Sequence, residues 1–324
     1  MKFAGKLIII SGATATGKTS LSIDLAKLVL KQNKKVRIIN FDSLLFYREL
    51  NIGTAKPSLV ERQGILHEMI DIGSAKNPLN ASDYVDQTEK LILECFARGE
   101  IVILVGGSAF YLRALIKGMY QSETTSDEIK THVEKMIEAG GNSALIAYLQ
   151  THDAEALKLY HENDTYRLSQ AVKHHLQTGQ PISVEKKRMD ELNPYDLAQN
   201  KHPDWDILHL YLEIDKPLHL ELMTKRASSM LEAGLIEEVR ALLAEGFSGN
   251  EKPLQSIGYK ETLNFLKGEI TSNEDLIEKI SISTRQLAKS QKTFFRKMQP
   301  KIQINSLTDR EKASEITLSF LSRP

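Results

Sequence analysis

Residues 7–29 read LIIISGATATGKTSLSIDLAKLV. A short apolar run, residues 7–10, leads into Gly12-Ala13-Thr14-Ala15-Thr16-Gly17-Lys18-Thr19, and a helix-forming stretch follows. The octad fits G-x-x-x-x-G-K-[ST], in the strand-then-helix setting that gives the pattern its meaning. Its glycines let backbone N–H groups turn inward around an anion, and the helix N-terminus adds its dipole. Lys18 supplies a point charge for an outer phosphate, and the Thr19 hydroxyl suits Mg²⁺. The loop therefore predicts a polyphosphate ligand. It does not distinguish ATP from a pyrophosphate ester, which satisfies the same donors.

Outward from this loop, residues 6–10 read as a strand and 18–31 as a helix. Further strands are expected at 36–40, at 100–105 (ending in Gly106-Gly107) and at 206–214. Strands alternating with helices predict a parallel sheet with helices on both faces, of the P-loop NTPase and kinase-like α/β class. From about residue 122 the strand signal stops. Thr125 and Glu128 are placed as a capping box for a helix running to Gly140. Helical stretches at 143–151, 153–161 and 164–178 follow, the last closed by Gly179. The expected organisation is an α/β core, 1–121 with 205–324, carrying an all-helical insertion at 122–204. Long helices are expected at 217–233, 235–245 and 274–298.

Composition excludes several classes. Lys plus Arg and Asp plus Glu are both 42 among 324 residues, so no net field draws nucleic acid to the whole surface. A local basic face remains open. The single cysteine, Cys95, rules out an internal disulfide and a cysteine zinc site, and fits a reducing compartment. No apolar run approaches the roughly 18 residues of a membrane span. Lys2 and Lys6 precede the first apolar run, but it is too short for a signal peptide and enters a glycine loop directly. A cytoplasmic protein is expected.

Four further stretches bear on chemistry. Asn40-Phe41-Asp42-Ser43 ends the second strand, where open α/β sheets bind ligands. A carboxylate there serves as general base or holds Mg²⁺ through water, unless Asp42 or Ser43 merely caps a helix. Asn51-Ile52-Gly53-Thr54-Ala55-Lys56-Pro57 is a ligand loop or a plain surface turn. Val105-Gly106-Gly107-Ser108 brings a hydroxyl to the same crevice, unless Ser108 is only a cap. In TRQLAKSQKTFFRKM, residues 284–298, Arg285, Lys289, Lys292 and Arg296 fall on one stripe of a helix. Ile280, Leu287, Phe294 and Met298 are placed on the packed side. No acidic residue occurs between Lys279 and Thr308. A solvated face normally mixes signs, so a polyanion such as nucleic acid is the favoured partner.

These residues together resemble the bacterial tRNA dimethylallyltransferases, which prenylate adenosine 37 beside the anticodon. The resemblance runs through GATATGKT, DSLLFYRELNIGTAKP, HEMIDI (67–72), ASDY (81–84), VGGSAFYLRAL, NDTYRLSQA (163–171), KRASSMLEAGLIEEV, SIGYKE and TRQLAKSQKTFFR. It implies a kinase-like sheet with a helical insertion. The donor would be dimethylallyl diphosphate, the acceptor the flipped-out adenine of a tRNA anticodon loop, and the cofactor Mg²⁺. The loop at 12–19 would then hold a diphosphate leaving group. Asp42 matches the residue that takes the N6 proton. Ser108 matches a position near the reacting centre that is usually threonine, Arg226 a diphosphate-binding arginine, and Thr19 the Mg²⁺ ligand. Asp42, Ser43, Leu44 and Leu45, and Tyr166, Arg167, Leu168, Ser169 and Gln170, match segments that contact tRNA. Lys130 falls where an arginine near the tRNA is common in the family. The expected state is a monomer.

The chain departs from the pattern at Leu45, where glutamine is frequent, and at Gln170 and Ser290, where basic residues are usual. The last two weaken the charge on the tRNA side. Three other readings stay open: a small-molecule kinase, a prenyltransferase acting on free AMP or ADP, and a tRNA-binding protein without catalysis. The acid-free basic helix speaks against the first. The insertion and the TRQ helix speak against the second. Gly17, Lys18, Thr19, Asp42 and Arg226 together speak against the third.

Overall fold

Residues 7–10 are completely buried, as a strand covered on both faces must be. In the computed structural model, which describes residues 5–118, 125–191 and 193–323, they lie in β1 (Gly5–Gly12). The other strands are β2 (Lys35–Asn40), β3 (His67–Glu68), β4 (Glu100–Gly106), β5 (Trp205–Glu213) and β6 (Ile302–Asn305). All pairings are parallel, in the order β3-β2-β4-β1-β5-β6. Ile8 and Ile10 join a core with residues of α1 (Lys18–Lys31) and α12 (Arg310–Ser322), while Leu7 and Ile9 face the other way. Helices flank the sheet on both faces, as the sequence predicts.

The edge strands β3 and β6 and several helices go beyond the sequence reading. These helices are α2 (Ala81–Ala97), α3 (Ala109–Lys117), α7 (Ile182–Glu191), α10 (Tyr259–Leu266) and α12. A two-residue strand such as β3 carries no periodicity to read. It exists because Ile38 and Ile39 pair with His67 and Glu68. The start of α2 explains ASDY. Asn80 and Asp83 form a reciprocal capping box, and Tyr84 is fully buried, stacked 5.4 Å from Phe46.

The described residues fall into two compact units, Met1–Lys117 with Tyr195–Pro324, and Gly118–Pro194. The boundary read at 121/122 lies outside the described residues, as does Lys2. At the other end the first unit resumes before residue 205, because Leu197 N–H donates to Gln299 O (2.5 Å) and Gln299 N–H to Tyr195 O (2.8 Å).

The second unit holds α4 (Asp127–His152), α5 (Ala156–Leu159), α6 (Thr165–Thr178) and α7 around Val133, Leu149, Leu168 and Val172. Two local expectations are corrected. The cap of α4 is Ser126, whose hydroxyl accepts the Ile129 N–H, and not the Thr125–Glu128 pair. The break expected at Gly140 is present one residue on, at Gly141, whose backbone (φ 58°, ψ −147°) is not helical and divides the stretch into two helical parts. The helix expected at 153–161 shrinks to α5. Asp153 is buried and accepts from the Ala156 N–H and from both N–H and hydroxyl of Ser183, which fixes a turn there.

β5 carries a buried histidine into the core. His209 Nε2 lies 2.7 Å from Ser11 Oγ, and burial, with Lys301 nearby, pushes its pKa down to about 3. Its contribution to stability is complete above the unfolded value near 6.5. It is lost as pH falls from there toward 3, by up to about 1.4 kcal/mol per pH unit from this one group. Denaturant titrations at a series of pH values should show His209→Gln with a shallower acid limb than the parent. Parallel limbs would mean that His209 titrates normally.

Candidate active site

The sheet order sets β1, β4 and β2 side by side. Their C-terminal ends therefore present the loop at 12–17, the turn at 106–108 and Asp42 at one crevice.

In the loop, Gly17 is the N-cap of α1 at φ 79°, a left-handed conformation that favours glycine, and no side chain caps the helix. The first N–H groups of α1 lack helical partners and are free for an anion. The Thr16 hydroxyl and the Lys18 ammonium both donate to Ala13 O at 2.8 Å, folding the loop on itself. Thr14 is held from two sides. Its N–H donates to Gln291 Oε1 (2.9 Å), and its carbonyl accepts from His219 Nε2 (2.8 Å). The Thr14 amide is thus committed elsewhere, which narrows the expected anion cradle to the amides that follow it.

Asp42 is fixed by Asn40. The Asn40 side chain accepts the Asp42 N–H (2.8 Å) and donates to the carbonyls of Asp42 and Met69 (both 2.9 Å). Asp42 has no capping hydrogen bond, which removes the capping alternative for its carboxylate. Ser108 Oγ accepts the Ser43 N–H at 3.2 Å, so the hydroxyl sits beside the acid. The absence of a side chain at Gly107 makes room for Gln291: a Cβ would come 2.6 Å from Gln291 Nε2 and 3.5 Å from Asp42 Oδ2.

Two cations act electrostatically on this carboxylate. Burial pushes the Lys18 ammonium down to about 8, with Asp42 opposing the shift and Arg226 adding to it. Arg226, on α8 (Lys216–Glu232), is likewise lowered by burial and supported by Asp42. One carboxylate under the electrostatic influence of two partly desolvated cations, with free helix-terminal amides in the same crevice, can hold a polyanion and take up a proton.

The loop at 51–57 is not a free turn. Glu238, on α9 (Leu235–Ala244), accepts the N–H groups of Asn51, Ile52 and Gly53 and the Tyr259 hydroxyl (2.6 Å). Thr54 O in turn accepts from Arg226 (3.2 Å). NIGTAKP, LIEEV and SIGYKE thereby form one support that aims the arginine. Glu238, His219 and Gln291 were not singled out from the sequence, and Asn40 was named only as part of its stretch, without a role. The motif strings contain Glu238 and Gln291, but only the fold shows what they grip.

Residues 45–298 match the family profile described as IPP transferase. The chain is 35% identical to tRNA dimethylallyltransferase 2 of Geotalea uraniireducens over 292 residues, 90% of this chain and 89% of the relative. It is 34% identical to tRNA dimethylallyltransferase of Caldanaerobacter subterraneus, again over 90% of this chain and 89% of that protein. The chain belongs to the IPP transferase family.

Among solved structures, a full-length tRNA isopentenylpyrophosphate transferase from Bacillus halodurans superposes with a TM-score of 0.68 at 27% identity, covering 98% of this chain and 96% of that one. A eukaryotic dimethylallyltransferase acting on tRNA reaches 0.80 at 26% identity, covering 99% and 81%.

The remaining residues expected of this family divide by exposure. On α11 (Asn273–Lys297), Arg285, Lys289 and Arg296 are exposed and Lys292 is half-buried. The stripe is not free of counter-charge throughout, because Arg296 lies 3.5 Å from Glu213 at the end of β5. Leu287, expected on the packed side, is exposed; Ile280, Thr284, Ala288 and Phe295 form that side. Ser43, Leu44 and Leu45 are half-buried in a single 3₁₀ turn.

In the helical unit, Tyr166 and Arg167 are exposed and Gln170 half-buried, while Lys130 and Arg167 pair locally with Asp127 and Asp164. Leu168 and Ser169 are buried, which removes their side chains from any surface contact. Among the described residues no cluster of three His, Cys, Asp or Glu gathers as a metal site, and no helix is long and apolar enough to cross a membrane. A hard ion that keeps its waters and substrate oxygens needs less, and the exposed Thr19 hydroxyl in the first turn of α1 fits that demand.

Proposed function

We propose that this chain transfers a dimethylallyl group from dimethylallyl diphosphate to N6 of adenosine 37 in tRNA, releasing pyrophosphate. The observation that carries the reading is that Lys18, after β1, and Arg226, on α8, both act electrostatically on Asp42, which follows β2 one strand away from β1 across β4. One group suits a nucleophile's proton, and two suit a leaving diphosphate.

Residues 15–19 would cradle the diphosphate through backbone N–H groups, with Lys18 and Arg226 neutralising its charge as the allylic C–O bond breaks. Mg²⁺, held by Thr19 when bound, would add to that neutralisation. The adenine N6 forms the new bond to carbon and loses one proton to Asp42. The allylic carbon bears positive charge well, so bond breaking can run ahead of bond making. Extruding the base costs a few kcal/mol, least in a loop, where unpaired bases can also be read. A tRNA substrate places the work in the cytoplasm, and the protein acts as a monomer.

The exposed cations of α11 would meet RNA phosphates. Lys289→Ala should weaken tRNA binding and reduce the slope of log K against log salt by about 1. Arg296→Ala should do less, since Glu213 already pairs with it. Filter binding at several salt concentrations measures both. An unchanged slope for Lys289→Ala would make that stripe an ordinary solvated face.

A further inference from the structure

Gln291 sits on the inward side of α11 and touches both halves of the reaction centre. Its Oε1 accepts the Thr14 N–H at 2.9 Å, and its Nε2 donates to Gly107 O at 2.9 Å. Thr14 belongs to the loop assigned to the leaving group. Gly107 precedes Ser108, and a Cβ built on it would lie 3.5 Å from Asp42 Oδ2, which puts it on the side assigned to the nucleophile. A side-chain amide accepts through its oxygen and donates through its nitrogen, which matches these two backbone groups. A carboxylate would repel Gly107 O, and an apolar chain would leave two polar groups without this partner.

We propose that Gln291 is a positioning residue that sets the distance between the diphosphate loop and the Asp42–Ser108 side. The assignment rests on the reading of the site as a prenyl-transfer centre. Direct displacement needs the attacked carbon and the N6 within about 3–3.5 Å, and a misplacement of about 1 Å costs on the order of 10²-fold. Both polar ends of the Gln291 amide are engaged by protein backbone, at Thr14 N–H and Gly107 O. Its loss should therefore act on kcat and leave both Michaelis constants near the parent values. Gly107→Ala should reproduce the effect, because its Cβ would displace the Gln291 amide.

The test uses Gln291→Met, which keeps the bulk of the side chain and removes both hydrogen bonds, with Gly107→Ala beside it. Steady-state prenylation of unmodified tRNA should show kcat reduced about 10²-fold, with KM for dimethylallyl diphosphate and for tRNA within about threefold of the parent. Hydrogen exchange at the Thr14 amide, which needs no substrate, should accelerate in Gln291→Met. Unchanged kcat, or a loss carried by KM, would overturn the assignment. So would unchanged exchange at Thr14. If the parent protein prenylates nothing, the functional reading fails instead, and the exchange result alone decides whether Gln291 holds the loop.

Discussion

Asp42→Asn should lower kcat for prenyl transfer by about 10²–10⁴, the range spanned by removal of a positioned general base. The side chain is nearly isosteric, and Asn40 still grips the backbone at residue 42 through two hydrogen bonds and Met69 O through a third, so the fold of the turn survives. The diphosphate should bind almost as well at neutral pH, because Lys18 and Arg226 remain. A secondary effect follows from the electrostatics. Asp42 supports the charged form of Lys18, so its loss lets burial lower the ammonium further. Any alkaline limb in donor binding should then move to lower pH. Rate and donor affinity falling by equal factors would point instead to a metal-holding carboxylate.

Lys18→Met should cost about 10²–10³ in kcat, the typical loss when one preorganised donor to a developing anion is removed. The unmutated residue also predicts a pH profile. Lys18 is charged below about 8 and loses its proton as pH rises through that value. For the free enzyme, kcat/KM with respect to dimethylallyl diphosphate should therefore decline above about pH 8. Lys18→Arg should flatten that decline, because a guanidinium does not deprotonate in this range. A decline that persists in Lys18→Arg would assign it to another group.

The glycine loop, the parallel sheet and the strand-end position of Asp42 were legible because each depends on residues close in sequence. Gly12, Gly17 and Lys18 act within one turn, and residues 7–10 announce a buried strand by their own run. The expected helix 164–178 differs by one residue at its start, because Asp164 at its head and Gly179 at its end are local signals. The supports of the site were not legible in this way. Glu238 grips amides near residue 52, Gln291 reaches Thr14 across most of the chain, and Arg226 meets Thr54 through a loop that looked like a turn. Long-range hydrogen bonds leave no spacing in a sequence. The misplacement of Leu287 has a related cause. A helical wheel locates the basic stripe, but which flank packs is set by the neighbouring elements, and here they cover Thr284, Ala288 and Phe295.

The central claim is the identity of the donor and the acceptor. The measurement is to incubate the purified protein with Mg²⁺, dimethylallyl diphosphate and unmodified tRNA carrying adenosines 36 and 37, beside a tube holding AMP in place of tRNA, and to analyse the digested nucleosides by mass. The account predicts an adenosine heavier by one dimethylallyl group from the tRNA tube alone. Product from AMP alone, or no product while the γ-phosphate of ATP moves to an acceptor, would contradict it.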